Sequence, residues 1–150
     1  MKKLLFLIIS AMILFNGCAL KTALKKDPLY EKTLKYTRRG QIVNSLETKA
    51  LIDAINLNDL YPKKFQNPTF LIGIYNNQNN ALENKEFSIL LDSKKPLKTT
   101  TIIPGFIPYK NFPFYNTWMT YYIVTFPQTD KPYKLTYKSV HWGEVNFTFR

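Results

Sequence analysis

The chain has 150 residues, 15% of them aromatic, with 21 Lys and Arg against 10 Asp and Glu and a formal net charge of +11. That length fits one domain able to bury a core without covalent staples. A single cysteine excludes an intramolecular disulfide, and one histidine with scattered carboxylates excludes the usual zinc and calcium ligand sets.

The N-terminus is ordered by chemistry. Lys2 and Lys3 come first, then residues 4–15, which are apolar except for Ser10, then Asn16, Gly17, Cys18 and Ala19. As a helix the apolar run spans about 18 Å, well short of the roughly 30 Å hydrocarbon core of a bilayer. A charged start and a short apolar run fit a secretory signal rather than a membrane span. The string from Leu14 to Leu20, LFNGCAL, resembles the lipobox of bacterial lipoproteins, with Phe15 where an aliphatic residue is usual. The resemblance implies a signal peptide over 1–17, cleavage between Gly17 and Cys18, and diacylglycerol on the Cys18 thiol with further acylation, such as palmitate, on its amine. Two or three acyl chains, at about 0.8 kcal/mol per buried CH₂, anchor a protein nearly permanently. Ala19, in place of Asp, implies sorting to the outer membrane, facing the periplasm.

Residues 18–44 are polar and basic and read as a tether, with a short helix expected after Asp27, which can cap it, and Pro28, which suits the first helical position. Lys21, Lys25, Lys26, Lys32, Lys35, Arg38 and Arg39 give this stretch its charge. They suit an anionic lipid or acidic glycan surface, or equally a soluble basic surface; nucleic acid is not expected in this compartment.

The folded domain is expected over 45–150. Residues 48–57 are ambiguous: Asn44 and Glu47 have capping-box spacing, yet Asp53 interrupts the apolar stripe of helix and strand alike, and strand is the choice. Strands follow at 69–75, 86–92 and 98–103. Residues 117–126 place Trp118, Tyr122, Val124 and Phe126 on one face and Met119, Tyr121 and Ile123 on the other, as a central strand would. Residues 133–138 and 145–150 alternate as half-buried antiparallel strands. About seven strands with Pro-, Gly- and Asn-rich turns predict an all-β, immunoglobulin-like antiparallel sandwich lacking the Cys–Trp–Cys core.

Chemistry is sparse. Cys18 is consumed by lipid, there is no nucleophile elbow, and His141, near Glu144, reads as a hairpin residue. Glu83 and Glu86 read as solvated surface in a polar turn. No catalytic residue, metal or cofactor is assigned. The segment 104–118 is too proline-rich for a central strand. Its Phe106, Tyr109, Lys110, Phe112, Phe114, Tyr115 and Trp118 form either an exposed aromatic binding surface or a plug for the open end of the sandwich. Glu144, Asn146 and Thr148 have the spacing of the acidic sequon used in bacterial N-glycosylation, with Asn146 on the polar face.

The sequence therefore predicts a non-enzymatic, lipid-anchored binding or structural module in the envelope. Its expected partners are the membrane through Cys18, and an envelope protein, peptidoglycan or anionic lipid. The alternative is an assembly factor or enzyme acting on envelope glycans.

Overall fold

Apolar side chains drive this chain into two antiparallel sheets that bury a face against each other. The computed structural model describes residues 27–78, 82, 85–103 and 112–150. The signal segment, Gly17 and Cys18 lie outside the described residues.

The chain enters through helix α1, Pro28–Lys35. Asp27 caps it by accepting from the Leu29 and Tyr30 N–H groups at 2.9 and 3.3 Å, with Pro28 in the first turn, as the sequence predicts. The strands are β1 Thr37–Asn44, β2 Glu47–Asn56, β3 Thr69–Asn76, β4 Phe87–Leu91, β5 Lys98–Ile102, β6 Thr120–Thr125, β7 Tyr133–Ser139 and β8 Gly143–Phe149. A single turn of helix, α2 Leu57–Leu60, follows β2.

One sheet has the order β1-β2-β3-β6-β5 and the other β4-β7-β8. In the lettering of a constant-type immunoglobulin sandwich, β2, β3, β6 and β5 stand at A, B, E and D, and β4, β7 and β8 at C, F and G. The strand β1 is an eighth, added beside the A position. The expected all-β sandwich is thus present. Packing joins the sheets, together with the Asn76 amide donating to the Tyr137 hydroxyl at 3.4 Å: Ile52, Ile72, Val124 and Phe126 from one meet Ile89, Leu91, Leu135 and Tyr137 from the other in a single buried cluster. Phe70 sits among the rings of Phe126, Tyr133 and Phe149, with centroids 5.9, 6.0 and 5.1 Å away.

The ordered domain begins before residue 45. Residues read as tether form α1 and β1, and β1 pairs with β2 from Thr37↔Ile55 to Asn44↔Glu47. Arg38, Arg39 and Gly40 conceal the alternation of β1, because each is fixed by a tertiary contact. Arg38 lies over the Phe149 ring, 5.7 Å from its centroid. At Gly40 a Cβ would come within 2.6 Å of Val145 and 2.8 Å of Phe147, so only glycine lets β1 close against β8. Asn44 and Glu47 do not form a capping box; they flank a two-residue hairpin turn.

That turn uses Ser45 and Leu46 at φ 53° and 65°, where Asn-Gly is the preferred pair. Leu46 is fully exposed and gains nothing from burial. Replacing the pair through Ser45→Asn and Leu46→Gly should stabilise the domain by about 1 kcal/mol, since a left-handed non-glycine residue costs roughly that much. A denaturant midpoint that falls instead would contradict this turn geometry.

Candidate functional site

The outer face of the five-stranded sheet carries a second core. Ile55, Leu57, Leu60, Leu71, Met119 and Tyr121 are buried there, with Leu29 and Tyr36 packed against them at the N-terminal end. Lys32 Nζ donates to the Leu60 carbonyl at 3.0 Å, and the Asn56 N–H to the Tyr36 carbonyl at 3.2 Å, fixing α1 beside α2.

Across the middle of this face runs one row of paired residues, Arg39↔Asp53↔Gly73↔Tyr121↔Ile102. Asp53 has no solvent exposure. A buried carboxylate must be paired, and Arg39 supplies the pair through two bonds, Nε and Nη2 donating to the two Asp53 oxygens at 2.6 and 2.7 Å. Those hydrogen bonds hold the Arg39 guanidinium protonated above its ordinary range. The Phe114 ring covers the guanidinium at 4.1 Å.

Gly73 creates the space for the next member of the row. A Cβ there would sit 2.6 Å from the Tyr121 ring. Tyr121 therefore lies flat across β3 beside Asp53, and burial pushes its hydroxyl up to about 12. The segment 112–119 straps over this ring. Phe112 meets it edge-on at 5.4 Å and Tyr115 stacks on it at 5.4 Å. The Asn116 N–H donates to the Tyr121 hydroxyl at 2.9 Å, while the Asn116 side-chain oxygen accepts from the Met119 N–H at 2.9 Å.

The strap sorts the expected binding residues. Phe112 is only 6% exposed, so it is a core ring and not part of a binding surface. Phe114 is half-buried over Arg39. Tyr115 and Trp118 are 39% and 55% exposed, and Trp118 leans edge-on against Tyr75 at 5.2 Å. The strap thus covers a sheet face and does not plug the end of the sandwich. Trp118 lies before β6 rather than on its inner face, while Tyr122, Val124 and Phe126 do point inward as expected. Phe106, Tyr109 and Lys110 lie outside the described residues. Sequence reasoning missed Arg39 and Asp53 as a pair; the one signal was a carboxylate interrupting an apolar strand.

Elsewhere, His141 faces Glu86 at 3.4 Å rather than Glu144. Asn146 is exposed on β8, with its amide donating to Glu144 at 3.1 Å and accepting from Thr136 at 2.6 Å. Both polar ends of that side chain are thus engaged within the sheet. Among the described residues no three His, Cys, Asp or Glu side chains are grouped to hold a metal, and no helix is long and apolar enough to cross a membrane. Comparison with protein-family models, curated proteins and solved structures finds no match to this chain.

What the arrangement offers chemically is a set of exposed rings on the strap, Tyr115 stacked on Tyr121 and Trp118 edge-on to Tyr75, beside a paired Arg39 and Asp53. Such rings suit a sugar ring, a peptide side chain or a lipid surface. Phe112→Ala should lower stability by about 3–5 kcal/mol through the cavity it leaves. Trp118→Ala should stay within about 1 kcal/mol, because most of that ring is already in water. Equal losses in thermal or urea melts of the two variants would contradict this division.

Proposed function

We propose that this chain is a lipid-anchored envelope lipoprotein, held by acyl chains on Cys18, whose sandwich is a non-enzymatic binding module facing the periplasm. The carrying observation is the distance between anchor and domain. The helix cap Asp27 stands nine residues after Cys18, so an extended linker reaches at most about 32 Å. Exposed Lys32, Lys35 and Arg38, together with Lys21, Lys25 and Lys26 in the linker, would then lie close to an anionic membrane surface and add to the hold of the lipid. The lipobox string and Ala19 support the outer membrane as the site.

A binding role draws on the exposed rings of Tyr115 and Trp118, which the sheet presents without freedom to collapse inward, because Phe112 and Asn116 pin the strap on either side. The partner classes in reach of a tethered domain are an envelope protein, peptidoglycan and anionic lipid.

Cys18→Ser should abolish metabolic labelling with palmitate and move the protein from the membrane to the soluble fraction. Undiminished labelling in that variant would sink the anchor assignment.

A further inference from the structure

A sandwich of two open sheets has four edge strands, and each edge is a row of backbone groups able to recruit another strand. In this protein β1 and β8 close against each other through Gly40, Val145 and Phe147. The edge strand β5 carries Lys98 and a run of exposed threonines. The fourth edge is β4, with the sequence Phe87-Ser88-Ile89-Leu90-Leu91. It has no charge and no proline, the two commonest devices that blunt an edge.

Among the described residues no strand pairs with the other side of β4, which borders a cavity of about 560 Å³ reaching across to Pro96 and to Thr99 of β5. Phe87 and Ile89, on the inner face of β4, line it, and so do Ser88 and Leu90 on the outer face. A cavity bounded by both faces of a strand lies along the strand's edge. The ladder fixes which backbone groups point there. The Glu86 carbonyl accepts from Val140 and the Asp92 N–H donates to Lys134, so even-numbered residues of this stretch bond to β7. The N–H and C=O groups of Phe87 and Ile89 therefore turn away from β7, since bonding direction alternates along an antiparallel strand. Leu91 is satisfied by its reciprocal bonds with Lys94.

Charge selects the occupant. Lys85, Lys95 and Lys138 border the cavity and are exposed, and among the described residues none of them makes an ion pair. Glu86, which faces His141, is the one carboxylate among the described residues of the lining. Another copy of this strongly basic chain would be repelled, while an acidic strand would be attracted.

We propose that the β4 edge is a strand-addition site for an extended acidic peptide segment. The segment pairs with the backbone of Phe87 and Ile89, turns apolar residues toward the space between the sheets, and sets alternate carboxylates against Lys85, Lys95 and Lys138. This mode gives affinity through main-chain bonds and selectivity through alternate side chains. The proposal rests on the reading of the domain as a binding module but not on the lipid at Cys18.

The test uses the full chain in detergent micelles with three fluorescent probes: an alternating glutamate–valine octapeptide, its lysine–valine counterpart, and vesicles containing anionic phospholipid. The glutamate–valine peptide should bind at least tenfold more tightly than the lysine–valine one. Its binding should weaken with salt and slow amide hydrogen exchange at Phe87 and Ile89. The triple variant K85E/K95E/K138E should reverse the peptide preference while keeping the melting transition. Absence of peptide binding, or binding without protection of those two amides, would overturn the proposal. So would binding of the vesicles, but not of the peptide, that depends on the same three lysines. Intact palmitate labelling beside any of these failures would leave the anchor assignment standing.

Discussion

A carboxylate with no exposure to water sits on the outer face of the larger sheet, and the architecture around it follows from how its charge is met. Left alone, Asp53 would cost several kcal/mol to bury. Arg39 meets it with two short parallel bonds, and this requires β1 to lie beside β2 in one register. The guanidinium is partly exposed, and Phe114 supplies part of its cover. The strand that the fold adds to a seven-strand sandwich and the strap that closes its outer face are therefore both tied to one ion pair.

The same row explains why the sheet has two apolar faces. In an antiparallel sandwich the outer face is commonly solvated and polar. Here β3 is buried on both sides, because Gly73 leaves room for Tyr121 and the strap lays further rings over it. Two cores share one sheet: an inter-sheet core of aliphatic and aromatic residues, and an outer one held by aromatic stacking and the Asn116 hydrogen bonds. Tyr115 and Trp118 remain at the surface because the places beneath them are already filled. Their exposure follows from packing, and a patch that cannot fold inward is suited to recognition.

Much of the sandwich was legible in the sequence, for a plain reason. β4, β7 and β8 bury one face each, and their alternation is visible residue by residue. β2 was legible only as a choice between alternatives, because both of its faces are covered and Asp53 breaks each stripe. β1 was not legible. Its inward positions are Arg38, Gly40 and Ile42, and two of these three are explained only by neighbours more than a hundred residues away on β8. The turn before β2 lacked the Asn-Gly signal, with Ser45 and Leu46 held at positive φ by the pairing of the strands. The aromatic segment was recognised as special, but which rings it buries depends on Gly73 and Tyr121, a tertiary relation that spacing does not encode.

The ion pair can be isolated from everything else by a double-mutant cycle on urea stability, using Arg39→Met, Asp53→Asn and the pair together. If Asp53 and Arg39 organise the outer face as described, the two single losses will be strongly non-additive. The coupling should lie toward the upper end of the range of about 0.5–3 kcal/mol seen for contacting residues. Losses that add to within about 0.5 kcal/mol would mean that each side chain acts alone, and that β1 and the strap are held by something other than this pair.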